Sequence, residues 1–166
     1  MANNFEITLP AQAFVAAATN GPSLSYVQDR LRLDYDDSTK ETAYSAAFRM
    51  PAAYTGTGTL FAVVQYAMAS ATSGTVEFEV AVEAVTPADA LNLNSASSFD
   101  TANSGTETVP GTAGYLSEIA ITLTNKDSVA AGDLVRLSLA RDAADATNDT
   151  ATGDARVLGV TIFEEA

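Results

Sequence analysis

The segment TVEFEVAVEAV, residues 75–85, alternates apolar and polar side chains along most of its length. Val76, Phe78, Val80 and Val82 face one way, and Glu77, Glu79 and Glu83 face the other. A period of two fits an extended strand with one buried face and does not fit a helix. The same period recurs at Phe5, Ile7 and Leu9, at Leu31, Leu33 and Tyr35, and at Tyr44, Ala46, Phe48 and Met50. It returns at Ile119, Ile121 and Leu123, at Leu137 and Leu139, and at Leu158, Val160 and Ile162. LFAVVQYAMA, from Leu60 to Ala69, is almost wholly apolar, which predicts a strand covered on both faces. Turn formers separate these runs at Asp36-Asp37-Ser38-Thr39, Ser73-Gly74, Asn125-Lys126-Asp127 and Ala131-Gly132-Asp133. The pattern predicts an all-β chain, a single jelly-roll-like antiparallel β-sandwich of about eight strands. Its 166 residues suit one domain with a core of its own.

Two regions lack the alternation. Residues 11–30 are small and polar, and AQAFVAAAT predicts a turn or two of helix ended by Asn20-Gly21-Pro22. Residues 1–28 therefore read as an N-terminal arm with the first strand, and residues 29–166 as the sandwich. The arm's apolar residues, Phe5, Ile7, Leu9, Phe14, Val15 and Tyr26, are its anchors. They pack on their own sandwich or, as candidate partner-binding residues, on a neighbouring subunit. From Thr86 to Gly114 hydrophobicity falls away. Pro87 to Leu91 predicts a helical turn, and residues 94–114 predict a long loop of the kind that is often functional.

The composition excludes much chemistry. There is no cysteine and no histidine, so disulfides, Cys-based metal sites and Ser-His-Asp or Cys-His catalysis are ruled out. Eight cationic side chains stand against 21 acidic ones, a net charge of -13. Such a surface repels phosphate backbones and anionic membranes, so neither nucleic acid nor membrane is an expected partner. No stretch approaches the roughly 20 apolar residues of a membrane span. MANNFEITLP has no basic, apolar leader pattern, and synthesis in a cytoplasm is expected. Paired carboxylates could hydrolyse glycosides without histidine, but no two are singled out by the sequence. No enzyme activity and no cofactor are expected.

The segment from Gly132 to Glu165 reads as strand, acidic loop and closing strand. In that loop Asp142, Asp145 and Asp149, with Asp154, are the candidate metal ligands, because calcium takes several oxygens from acidic turns. Their spacing is not that of an EF-hand. A plainer role for part of the loop is an ion pair from Arg141 to Asp142, Asp149 or Asp154 that holds its base. Glu77, Glu79 and Glu83, roughly 7 Å apart along one strand, read as a solvated face that discourages edge pairing.

Several segments together resemble a family of small β-sandwich proteins of tailed bacteriophages. These are Ala46-Ala47-Phe48-Arg49-Met50-Pro51 with Tyr54, then LFAVVQYAMASATSGTVEFEVAVEAV, VPGTAGYLSEIAITLTN and AAGDLVRLSLARDAADATNDTATGDARVLGVTIFE. The R-D-x-x-D-A-x-x-D-T-x-x-G-D-A run beginning at Arg141 is the most telling. The resemblance spans residues 43–165. The family often carries tryptophan around the A-T-S-G turn, where this chain has Phe61, Tyr66 and Phe78. The resemblance implies a virion structural protein: a capsid decoration (cement) protein on the outer capsid surface. It would bind the assembled major capsid protein as a homo-oligomer, a trimer. The alternative it leaves open is a receptor- or glycan-binding module of a tail or head fibre, with a groove lined by Tyr54, Tyr66 or Tyr115.

Overall fold

One strand near the end of the chain organises half of the molecule. In the computed structural model, which describes residues 3–166, β12 (Ala155–Glu165) lies antiparallel to β7 (Thr59–Met68) along its whole length. Its other edge is shared by β4 (Arg30–Tyr35), which pairs with Ala155 to Val157, and β1 (Asn3–Pro10), which pairs with Gly159 to Glu165. β10 (Leu116–Thr122) extends the sheet beyond β7, and β3 (Ser23–Val27) extends it beyond β4. The second sheet runs β2 (Phe14–Ala16), β5 (Lys40–Ser45), β11 (Leu134–Asp142), β8 (Thr75–Val85) and β9 (Asn103–Thr108). The short β6 (Phe48–Arg49) also pairs with β11. Every pairing is antiparallel, and the two sheets face each other across one core, as the alternation predicts.

The core is built from the expected alternating residues. Leu33, Tyr35, Val64, Tyr66, Phe78, Val80, Leu137, Leu139, Val160 and Ile162 are all buried in it. Tyr35 and Tyr66 each bring a ring to within 5.7 Å of Phe78, centroid to centroid. The Tyr35 hydroxyl donates to the Leu139 carbonyl at 3.1 Å, which joins the sheets and satisfies a buried polar atom.

Among the described residues twelve strands form where about eight were expected. The run from Tyr44 to Met50 is broken at Ala46–Ala47 into β5 and β6. β2, β3 and β9 come from stretches whose side chains carry no regular alternation. β9 (NSGTET) is held by its ladder to β8 and by close packing at Gly105, where a Cβ would stand 2.8 Å from an Ile121 side-chain carbon. The helix expected over AQAFVAAAT reduces to a 3-10 turn at Ala11–Ala13, and none forms at Pro87–Leu91.

The stretch expected as a separate arm is woven into both sheets. β1 lies in the first, β2 in the second, and β3 returns to the first. Phe5, Leu9 and Phe14 belong to the sandwich's own core, and Ile7 packs against it half-buried. Phe5, Leu9 and Phe14 are therefore removed from the surface that a partner could use, and Ile7 keeps part of its surface.

The glutamate face of β8 is also not solvated. Residues 91–99 lie over its Glu83 end, with the Ser98 N–H donating to Glu83 Oε1, and the Asp100 N–H donates to the Val82 carbonyl at the strand's edge. Phe99 stacks on Tyr44, and the Arg136 guanidinium lies 5.2 Å from the Phe99 ring. Arg136 pairs with Glu83, and Lys40 pairs with both Glu79 and Asp142. Glu77 is buried, and that burial, followed by the charges of Asp145, Glu79 and Asp142, raises its pKa.

Two buried charges fix the loops. Arg141 has no exposed surface and forks onto Asp149 through Nε (2.9 Å) and Nη2 (2.8 Å). Its remaining donors reach the carbonyls of Tyr35, Asp36, Ala151 and Gly153. Glu164 is equally buried and accepts from the Asn4 amide, the Thr55 N–H and hydroxyl, and the Gly58 N–H. Burial works to raise its pKa, but these hydrogen bonds prevail and hold it down to about 2.

Arg141→Ala and Asp149→Asn should each lower unfolding stability by about 3–5 kcal/mol in urea titration, since either leaves a buried partner uncompensated. Removing both, as in R141M/D149L, should cost less than the sum of the two single changes. Glu164→Gln should lower stability at pH 7 by about 1–3 kcal/mol. A carboxylate with a depressed pKa stabilises above its ordinary value of 4.5, and that contribution is lost as pH falls towards about 2. The difference between wild type and Glu164→Gln should accordingly close across that window, as followed by denaturant titration at stepped pH.

Candidate functional site

The register of the first sheet decides what its outer face carries. In β4, Leu33 and Tyr35 point into the core, so Arg30, Arg32 and Asp34 stand on the opposite face. In β12, Val157 is core, which places Arg156 outside. Leu158 is the extra residue of a bulge between Val157 and Gly159, an irregularity that bends the strand. On β7, Tyr66 and Met68 are core and Ala67 is outward. Arg30, Arg32, Ala67, Arg156 and Leu158, with Val27 and Gln28 at the β3–β4 turn and Gly114 and Leu116 at the start of β10, line a groove of about 400 Å³. The groove runs across the sheet from one edge strand to the other.

Its chemistry is mixed. Val27, Ala67, Leu116 and Leu158 give it apolar surface, and three of the chain's eight cationic side chains, Arg30, Arg32 and Arg156, give it charge. The carboxylate of Asp34 stands beside them, outside the lining. Its Oδ1 is 3.2 Å from Arg32 Nε and 3.7 Å from Arg156 Nε, and its Oδ2 accepts the Ser25 hydroxyl at 2.6 Å. Burial first, and the Arg156 charge second, lower the pKa of Arg32, while Asp34 opposes both. Tyr26 and Tyr115, next in the chain to lining residues at the two edges, are 72% and 64% exposed.

A second cavity, of about 300 Å³, lies between residues 91–97 and the outer face of the second sheet. Its two charged groups, Glu83 and Arg136, are already spent on each other.

The candidate metal ligands do not converge. Asp142 takes Lys40 at 2.9 Å, Asp145 accepts the N–H groups of Thr147 and Asn148 in its own turn, and Asp149 holds Arg141. Among the described residues, the carboxylates that come together are instead Asp36, Asp37 and Asp154, within 4.8 Å of one another. Two of these already have local partners, since Asp36 accepts the Ser38 and Thr39 N–H groups and Asp37 accepts the Gly153 N–H. Of the six arm residues, Val15 and Tyr26 remain exposed. Of the three tyrosines that a glycan groove would have used, Tyr54 and Tyr66 are core and Tyr115 is at the surface.

No family model matches the sequence, and neither does any curated protein. Solved structures match by shape. The chain aligns with the CsCBM6-3 carbohydrate-binding module of Clostridium stercorarium, solved with cellobiose, at 12% identity and a TM-score of 0.53. That alignment covers 96% of this chain and 94% of the other. The CBM35 of Cellvibrio japonicus Abf62 aligns at 9% identity and a TM-score of 0.51, covering 98% of this chain and 95% of that one. The CBM22-1–GH10 modules of Clostridium thermocellum xylanase 10B, solved with xylohexaose, align at 15% identity and a TM-score of 0.51. Here 99% of this chain is covered, but 29% of the other. This chain shares their fold. At these identities the likeness speaks to the β-sandwich itself and does not extend to a phage capsid protein family.

The arginine groove was not singled out from the sequence. A signal for it exists, however. In RLRLDY the two arginines occupy the outward positions of a strand, in a chain where acidic residues far outnumber basic ones. The third, Arg156, lies more than 120 residues away along the chain, and only the β4–β12 pairing brings it alongside.

Proposed function

We propose that this chain is a non-catalytic glycan-binding β-sandwich that holds a saccharide segment in the groove on the outer face of its first sheet. The observation that carries this reading is the groove itself. It joins apolar surface to side-chain donors, the combination that binds sugar rings by their faces and their oxygens. The fold gives further support, since β-sandwiches of this shape include modules solved with cellobiose and with xylohexaose. Binding here needs no reaction: the partly exposed Leu116 and Leu158 offer contact area, and Gln28 and the arginines offer hydrogen bonds. The test is affinity electrophoresis and titration calorimetry of the purified protein against a panel of soluble polysaccharides, with reducing ends assayed in parallel. Binding without release of reducing ends is expected. Leu116→Asp should weaken it at least tenfold while leaving the melting temperature in place. Failure to bind any member of the panel, or wild-type affinity in Leu116→Asp, would overturn the assignment of this groove.

A second reading, a trimeric decoration protein seated on a phage major capsid protein at the outer capsid surface, draws on a different surface. Val15, Leu24 and Tyr26 are exposed apolar side chains on β2 and β3, the edge strands joined by residues 17–22. Edge strands with such side chains are suited to protein contact. Sedimentation should then find a trimer, and empty mature capsids should bind the protein stoichiometrically. A monomer that ignores capsids would sink that reading.

A further inference from the structure

We infer that the outer groove of the first sheet selects an acidic saccharide, one whose sugar rings carry carboxylate or sulfate groups, and that Arg30, Arg32 and Arg156 receive the anionic group. This inference rests on the glycan-binding reading and adds the ligand class.

The argument begins with charge. The protein carries a net charge of -13, yet three of its eight cationic side chains meet in one groove lined by no carboxylate. Asp34, beside the groove, and Asp29, between the lining residues Gln28 and Arg30, set two negative charges against three positive ones, and Asp34 approaches two of the arginines. Arg30 has the Gln28 carbonyl at 3.5 Å, a contact that leaves its charge unneutralised. The groove therefore keeps a local positive excess within a negative molecule.

Hydrogen-bonding capacity points the same way. Arg32 is nine-tenths buried, and its Nη2 has no hydrogen-bond partner within the protein. Arg156 Nε also makes no hydrogen bond, and the carboxylate oxygen nearest to it, Asp34 Oδ1 at 3.7 Å, makes none either. Buried donors left unmade are costly, and guanidinium groups are the side chains best matched to planar or tetrahedral oxyanions. Arg30 and Arg32 stand two residues apart on one strand face, about 7 Å from each other. Arg156 is directly across from Asp34 on the adjacent strand, which puts it diagonal to Arg32. An oxyanion lying over this triangle can accept from more than one guanidinium, while Leu116, Leu158 and Ala67 lie under the sugar ring. A neutral sugar leaves the positive excess uncompensated and the buried donors poorly matched.

The surrounding field adds a filter. A strongly acidic body repels polyanions in general, so an anion is favoured only where the local arginines outweigh that repulsion. Short-range recognition of one charged ring, and not general attraction to polyanions, is the expected behaviour.

The test is calorimetry of the full chain with oligogalacturonate, with a sulfated galactan oligosaccharide and with a neutral cello-oligosaccharide of equal length. Dextran sulfate serves as a non-specific polyanion. Expected is binding of the galacturonate or the sulfated ligand at least tenfold tighter than the neutral one, weakened at least fivefold by a rise from 50 to about 300 mM salt. Arg156→Gln and Arg30→Gln should each remove most of this preference, with unchanged circular dichroism and melting. Arg32→Lys, which keeps the charge and loses the fork, should weaken the acidic ligand more than the neutral one. Preference for galacturonate identifies a carboxylate as the recognised group, and preference for the galactan identifies a sulfate; either supports the inference. Equal affinity for neutral and acidic oligosaccharides overturns it while leaving glycan binding in place. Binding to none of the three oligosaccharides overturns both. Dextran sulfate bound as tightly as the preferred oligosaccharide, and unaffected by the arginine changes, also overturns the inference.

Discussion

The guanidinium of Arg141 is the point on which the loop end of this sandwich depends. It leaves β11 with no exposed surface and must satisfy every nitrogen inside the protein. Asp149 takes two of its bonds, and the backbone carbonyls of Tyr35, Asp36, Ala151 and Gly153 take the rest. Those carbonyls belong to the end of β4, the turn after it and the approach to β12. One side chain of the second sheet thus ties three segments of the first into a single arrangement. Asp149 extends the tie by accepting the Glu77 N–H, which fixes β8 beside the loop. A buried pair of this kind adds little net stability over an apolar substitute. Its contribution is to specify which of many loop conformations is compatible with a folded core.

That constraint bears on how the acidic loop is read. A run of aspartates in a sequence suggests cation binding, but each carboxylate here is directed at a different protein group. Asp142 faces a lysine, Asp145 its own turn, and Asp149 an arginine that the alternation of β11 carries inward. Of the three arginine pairings open in the sequence, the structure selects Asp149. The bond also lies deeper than a surface pair, since both side chains are almost wholly buried.

The strongly periodic strands, their antiparallel arrangement and most of the core were legible in the sequence because burial and side-chain period are the same physical signal there. β8 and β12 are clear cases. β2, β3 and β9 were not legible, since their positions are set by ladder bonds to neighbours and not by their own side chains. The solvated reading of Glu77, Glu79 and Glu83 failed for a related reason. What covers a strand face can lie far along the chain, and no local pattern reports the fold-back of residues 91–99. The candidate groove was half legible: Arg30 and Arg32 share a strand face by simple alternation, whereas Arg156 joins them only through strand pairing.

The placement of β12 between β7, β4 and β1 has a kinetic meaning. Residues 3–10 pair with residues 159–165, so this ladder spans nearly the whole described chain. During synthesis, β1 and one edge of both β4 and β7 must wait, without their central partner, until residues 155–165 have left the ribosome. Folding of the first sheet is thus a late, long-range event, slow by the logic of loop closure. Until it occurs, the nascent chain presents open strand edges, and protection from aggregation in that interval falls to the acidic side chains that dominate its composition.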